Sequence, residues 1–162
     1  MIKEKILNIL NKQINEELFS SYLYLSMSNF FSSQNLDGFA KWMRMQSQEE
    51  YGHGMKIYDY ILQRDGKVVL IKIETPKAVW KSPLEVFQET LKHEQHISAC
   101  VNNIVNLAIQ EKDHATTQFF QWFVGEQVEE EANAINIVEK MKMIGDNKSG
   151  IFMLDRELGR RQ

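Results

Sequence analysis

Phe39-Ala40-Lys41-Trp42-Met43-Arg44-Met45-Gln46-Ser47-Gln48-Glu49-Glu50-Tyr51-Gly52-His53-Gly54-Met55-Lys56-Ile57-Tyr58-Asp59-Tyr60 reads as one amphipathic helix. In alternating steps of three and four, Phe39, Met43, Gln46, Glu50, His53, Ile57 and Tyr60 share a face. That face is apolar at both ends and polar in the middle, where Glu50 and His53 stand one turn apart. Three other stretches repeat the pattern. The first is Leu10, Ile14, Glu17, Ser21, Tyr24, Ser28 and Phe31. The second is Leu84, Phe87, Leu91, Glu94, Ser98, Val101, Val105 and Ala108. The third is Phe120, Phe123, Gln127, Glu130, Ala134, Ile137 and Met141. Each seam has a carboxylate near its midpoint, so the carboxylates meet in one layer whichever way the helices run.

Chain punctuation orders these helices. The first is expected over about residues 3–32, and Asn35 to Gly38 breaks it, with Asp37 as N-cap of the second. Asp65-Gly66 ends the second. Ser82-Pro83-Leu84-Glu85 opens the third with a capping box, Asp113 caps the fourth, and Gly145 ends it. A last short helix is expected over residues 149–158. Short links make helices one and two antiparallel, and likewise three and four. The link between helices two and three is about 16 residues, reaching at most roughly 55 Å when extended. A helix of about 27 residues is roughly 40 Å long, so that link can cross the whole bundle and set helices two and three parallel. The fold class is therefore all-α: a four-helix bundle with a long crossover and a short fifth helix. Residues 1–145 form the bundle, and residues 146–162 the last helix and tail of the same domain.

Composition agrees and removes other classes. The 162 residues include only 2 Pro and 8 Gly, too few for the turns of a sandwich or barrel. A net charge of -3 leaves no basic footprint for nucleic acid. No apolar run approaches the roughly 20 residues of a membrane span, and charge interrupts the first residues, so neither a membrane anchor nor a secretory signal is read. A single cysteine, Cys100, fits a reducing, cytoplasmic setting.

Four buried carboxylates in one layer would repel one another and cost several kcal/mol apiece to desolvate. Two divalent cations cancel their charge. Oxygen and imidazole donors without thiolate suit iron or manganese, and zinc also fits. Glu50-x-x-His53 matches the known template of di-iron carboxylate bundles.

The chain resembles the bacterial non-haem ferritins. The matching segments are Asn15-Glu16-Glu17, Ser20 to Met27, Glu49-Glu50-Tyr51-Gly52-His53, Glu94, and Trp122 to Glu131, and the likeness runs to about residue 158. The resemblance implies a ferritin-like bundle in a shell of 24 identical subunits that oxidises Fe²⁺ with dioxygen and stores ferric mineral. It implies Glu17, Glu50 and His53 as ligands of one iron, and Glu50, Glu94 and Glu130 as ligands of the second, with Glu50 bridging. Gln127 stands where symmetric di-iron proteins have a further Glu. A third iron position is implied at Glu49, Glu126 and Glu129, sharing Glu130. Tyr24 resembles the family's tyrosine beside the centre, an electron donor to oxygen. Bacterioferritins carry a haem-ligating Met between the Glu and the His of the second helix; Tyr51 and Gly52 stand there, so no haem is expected. Mini-ferritins build their site between subunits and lack the last helix, unlike this chain.

Two other classes compete: a rubrerythrin-like di-iron oxidase or peroxidase acting on an external substrate, and a non-catalytic assembly bundle. His93, His96 and His114 are expected to be exposed rather than ligands, and Cys100 to be a small packed residue. His114 and Asp113 stand at the turn where ferritin shells have three-fold channels. The apolar run Val68 to Ile73 is expected to lie at a two-fold interface.

Overall fold

In a computed structural model, residues 2–162 form an all-helical bundle. Its helices are α1 (Glu4–Ser33), α2 (Asp37–Gln63), α3 (Pro83–Gln110), α4 (His114–Ile144) and α5 (Lys148–Leu158). α1 packs along α2 and α3 along α4. Phe39 in the first turn of α2 and Phe87 in the first turns of α3 pack with ring centroids 5.7 Å apart. The two helices therefore start at the same end and run parallel.

The crossover, residues 64–82, makes this possible by lying along α1. Asn11 accepts from the Val69 amide at 2.8 Å and donates to the Lys67 carbonyl at 3.2 Å. Asn15 donates to the Lys72 carbonyl at 3.2 Å, and Ser26 to the Lys77 carbonyl at 2.7 Å. These α1 side chains satisfy backbone groups that have no ladder of their own. Trp80 then buries its ring against Phe30 at the far end.

Three helices end alike. Asn35, Asp65 and Lys112 take positive φ of 58°, 55° and 56°. The amides after them return to Phe31, Ile61 and Ala108 carbonyls at 3.0, 2.9 and 2.8 Å. This closes the last turn as a left-handed cap does, using Asn, Asp and Lys in place of glycine. Ser82 and Asp113 cap α3 and α4 as expected, accepting from the Glu85 and Thr116 amides, but the return bond of the capping box is displaced by one residue, with the Glu85 carboxylate accepting from the Lys81 amide. Asp37 does not cap α2: it is the first helical residue, and the preceding Leu36 has no capping side chain. The cap comes instead from α5, where Asp155 Oδ1 accepts from the Phe39 amide at 2.8 Å. α5 reaches this position because residue 38 is glycine; a Cβ there would sit 1.8 Å from the Asp155 carbonyl oxygen.

The α2 and α4 seams are buried as read from the sequence. On α3 Phe87, Glu94, Val101 and Ala108 are buried as expected, but the rest of the stripe is rotated: Val86, Thr90, Ile97 and Ile104 are inside, while Leu84, Leu91, Ser98 and Val105 are half-buried. α3 turns this face because it packs on both α1 and α4. Two apolar clusters fill the ends of the bundle, one around Phe31, Phe39, Phe87 and Leu154, the other around Leu10, Ile57, Ile104 and Phe123. The polar layer lies between them. Among the described residues no helix is long and apolar enough to cross a membrane.

Candidate metal centre

The layer draws on all four long helices. α1 supplies Glu17, α2 supplies Glu50 and His53, α3 supplies Glu94, and α4 supplies Gln127 and Glu130. All six are buried, at 1% to 5% exposure. Ligand atoms of Glu17, Glu50 and His53 lie within 4.8 Å of one another, as do those of Glu50, Glu94 and Glu130. Glu50 is in both groups, the position a bridging carboxylate needs. His53 Nδ1 is 3.0 Å from Glu50 Oε2.

One oxygen tests whether a cation fits. Gln13 Nε2 donates to Glu17 Oε1 at 2.8 Å. Glu17 Oε2 is buried with no hydrogen-bond partner, the one such side-chain atom among the described residues. An unsatisfied buried acceptor costs about 1–3 kcal/mol, more when charged. A metal ion beside Glu50 and His53 satisfies it, and the oxygen-plus-imidazole donor set suits iron.

The electrostatics are those of a site built for positive charge. Burial, then the neighbouring Glu50 charge, push Glu94 up to about 8, against hydrogen bonds from Tyr24 and Gln127. Burial, with Glu50 and Glu49, pushes Glu130 up to about 7. Burial and Glu50 push Glu17 well above the usual carboxylate range. Burial pulls His53 down, but the Glu50 hydrogen bond and the surrounding carboxylates outweigh it and lift the imidazole to about 9. Raised proton affinity is the mark of a carboxylate cluster that favours positive charge within it. Tyr24, fully buried, donates its hydroxyl to Glu94 Oε1. Burial and the Glu94 charge hold that hydroxyl protonated.

A set of amides orients the carboxylates. Gln46 Nε2 donates to Glu50 Oε1 at 3.0 Å and to Glu130 Oε2 at 2.8 Å. Gln127 Nε2 donates to Glu94 Oε2 at 3.1 Å, so it holds a carboxylate of the layer. Arg161, in the C-terminal tail, donates to Gln46 Oε1 at 2.7 Å and to Glu49 Oε2 at 2.5 Å. The sequence reading missed Gln13 and Arg161 and left Gln46 without a role. Gln46 stood in the seam and was legible as a polar core position; the tail contact had no signal.

Ligand atoms of Glu49, His53 and Glu126 form a third group within 4.8 Å, with Glu49 and Glu126 half-buried. Glu129 is exposed and outside it. His114 is exposed. His93 is half-buried, not exposed: its Nε2 lies 2.7 Å from Ser20 Oγ, and its ring meets Tyr24 edge-on. It is covered because the rotated α3 face turns it toward α1. Cys100 is half-buried beside exposed His96. Burial and the charges of Glu16 and Glu17 push its thiol up to about 11.

Comparison with known proteins fits this geometry. Residues 7–144 match the ferritin-like domain. The chain is 49% identical over 161 residues to a bacterial non-heme ferritin of Bacteroides fragilis, covering 99% of this chain and 100% of that protein. It is 37% identical over 156 residues to one from Campylobacter jejuni, covering 96% and 93%. An open-pore ferritin of Archaeoglobus fulgidus superposes with a TM-score of 0.99 at 48% identity, covering 100% of both chains. With its helical order, its layered carboxylates and full-length relatives in agreement, the chain belongs to the ferritin family.

Proposed function

We propose that the protein stores iron as a ferroxidase, oxidising Fe²⁺ with dioxygen at the midplane layer and keeping the ferric product inside a shell of 24 subunits. The observation that carries this reading is the pair of buried ligand groups sharing Glu50. Two Fe²⁺ ions enter as substrate: one at Glu17, Glu50 and His53, the other at Glu50, Glu94 and Glu130. Four carboxylates against two divalent ions make a neutral layer that two apolar clusters seal from water. Each ion gives one electron to dioxygen. Oxidation adds two positive charges that the carboxylates do not balance, so the product is displaced once anions from oxygen and water bind it.

Residues around the layer prepare the step. Gln46, Gln127 and Gln13 fix carboxylate orientation through their amide donors. Tyr24 holds Glu94 and is placed to give an electron with its proton moving toward that carboxylate. Glu49 and Glu126, half-buried beside His53, offer a third iron position between the layer and solvent. Tyr51 and Gly52 stand between Glu50 and His53, where bacterioferritins have a haem-ligating Met, which favours non-haem chemistry.

Assembly is supported by the crossover, whose Leu70 and Ile71 are 66% and 56% exposed on an isolated chain. Gel filtration with oxygen uptake on the same sample tests the reading. A shell of 24 subunits of 19.0 kDa elutes near half a megadalton and consumes oxygen when Fe²⁺ is added. A dimer that needs an added organic or peroxide substrate would make it a rubrerythrin-like enzyme instead.

A further inference from the structure

A second ligand cluster lies outside the layer, between α1 and α3. Glu16 comes from α1; His96 and Cys100 come from α3, spaced i, i+4 and therefore on one face. Glu16 follows the opposite direction from its neighbour Glu17: its side chain is 35% exposed, whereas Glu17 is 1% exposed in the core. Ligand atoms of the three residues lie within 4.8 Å of one another.

The convergence is centred on one nitrogen. His96 Nε2 is 2.9 Å from Glu16 Oε2 and 3.7 Å from Cys100 Sγ. A single ring nitrogen cannot serve both as a hydrogen-bond partner. If it carries a proton, it donates to Glu16 and the thiol has no acceptor there. If it does not, its lone pair can accept from the thiol but faces a carboxylate lone pair. A divalent cation resolves the conflict, because the imidazole, carboxylate and thiolate then all point lone pairs at it, and their two negative charges match its own.

The spacing fits a tetrahedral ion. Zinc bonds of about 2.3 Å to sulfur and about 2.0–2.1 Å to nitrogen or oxygen put ligand atoms roughly 3.3–3.6 Å apart. The observed 2.9 and 3.7 Å need shifts of a few tenths of an ångström, and the Glu16–Cys100 edge, within 4.8 Å, needs at most roughly 1.3 Å, within reach of side-chain rotation at part-exposed Glu16. A fourth position opens to solvent, since the His96 side chain is 54% exposed. We propose that Glu16, His96 and Cys100 form a binding site for a zinc-class divalent ion, clasping α1 to α3 on the bundle surface. The thiolate separates it chemically from the midplane layer, whose donors are all oxygen and imidazole. Soft sulfur ligation and the order of divalent affinities both favour Zn²⁺ over Fe²⁺ at this cluster. The site stands independently of iron oxidation.

Cobalt(II) added to the metal-free, assembled protein tests the proposal. Only a thiolate-bound ion gives the near-ultraviolet sulfur-to-cobalt charge-transfer band, so the carboxylate layer is silent in this signal. One saturable band per chain is expected, bleached by Zn²⁺. Cys100→Ser should abolish it, while His96→Ala and Glu16→Gln should each weaken binding at least about tenfold, the lower end of what loss of even an outer-shell partner costs. No band in the parent protein would overturn the site; so would a band of unchanged midpoint in both His96→Ala and Glu16→Gln, which would mean the thiol binds cobalt alone. A measurement on the parent protein needs no variant. Zn²⁺ added in excess of what the midplane layer and the Glu49 group can hold should slow alkylation of Cys100 by at least about tenfold, and an unchanged rate under that excess would also overturn the proposal. Iron oxidation by Cys100→Ser should equal the parent's, and its loss would bear on the midplane reading rather than on the cobalt signal.

Discussion

Arg161 Nη2 sits 2.5 Å from Glu49 Oε2, tying the C-terminal tail to a carboxylate of the third ligand group. Its other nitrogen reaches Gln46, which in turn orients Glu50 and Glu130. The guanidinium occupies the charge that an iron ion at Glu49, His53 and Glu126 would neutralise, so cation and arginine compete. The pair is only partly buried, and such pairs are worth about 0.2–1 kcal/mol.

Arg161→Ala should therefore tighten anaerobic Fe²⁺ binding at the third position by about two- to fivefold, within the range of that ion-pair energy. Calorimetric titration past two ions per subunit measures it. Weaker third-ion binding in the variant would show that Arg161 organises Glu49 instead of competing for it.

Gly38→Ala tests the seating of α5. A methyl group 1.8 Å from the Asp155 carbonyl oxygen cannot be accommodated while α5 stays in place. Displacing α5 removes the Asp155 cap on the Phe39 amide and uncovers Leu154, which is 3% exposed in the folded protein. The expected loss is about 2–4 kcal/mol, the range for overpacking combined with a lost cap. Thermal inactivation at one fixed scan rate reads it, a comparison that holds even where unfolding is irreversible. A midpoint equal to the parent's would mean α5 contributes nothing to stability.

These elements mark where the sequence was legible. Glu17, Glu50, His53, Glu94, Gln127 and Glu130 could be placed in one layer because helical periodicity turns spacing into direction, and each interrupts an apolar seam near its middle. On α3, periodicity marks Phe87, Glu94, Val101 and Ala108 correctly but selects Leu84, Leu91, Ser98 and Val105 in place of Val86, Thr90, Ile97 and Ile104, because neighbouring apolar positions satisfy the same spacing. Arg161 and Asp155 act across the fold, at sequence distances of 112 and 116 residues from their partners. Periodicity carries no information about such contacts. His93 was misread for a related reason: its cover comes from Phe19 and Tyr24 on α1, not from its own helix.

The metal-free protein should lose stability as pH rises through the range where the layer deprotonates. Glu130 at about 7 and Glu94 at about 8 lie above the ordinary value of 4.5, so the folded state holds protons the unfolded state has released. His53, raised to about 9 from 6.5, acts with the same sign. The stability these groups contribute is full below their unfolded values and falls as pH rises through the folded ones. Thermal midpoints between about pH 5 and about pH 9 should decline for the metal-free protein and decline less with bound Zn²⁺, which replaces the protons. A rising midpoint over that interval would contradict the buried-charge account of the layer.

Glu94→Gln keeps the shape of one ligand and removes its charge. It should abolish rapid iron oxidation while leaving the metal-free protein as stable as the parent or up to about 2 kcal/mol more so. The gain should be larger at about pH 9 than at pH 7, because Glu94, pushed up to about 8, is charged only at the higher value. A strongly destabilised variant would make Glu94 a structural partner of Tyr24 and Gln127.

Glu130→Ala should slow iron oxidation far more than Glu126→Ala, by at least about 100-fold against at most about tenfold, if the layer and the third group have different tasks. Glu126→Ala should alter the iron oxidised per oxygen consumed. Stopped-flow oxidation with simultaneous oxygen recording separates the two effects, and equal behaviour of the variants would merge the sites.

The most direct measurement is an anaerobic Fe²⁺ titration of the metal-free protein against Glu17→Ala and Glu50→Ala. Glu17 belongs to one buried group, whereas Glu50 belongs to both. The parent should bind two Fe²⁺ ions strongly per subunit in the layer, Glu17→Ala should keep one of them, and Glu50→Ala should keep neither. Retention of both strong ions by Glu50→Ala would contradict a centre bridged by that carboxylate.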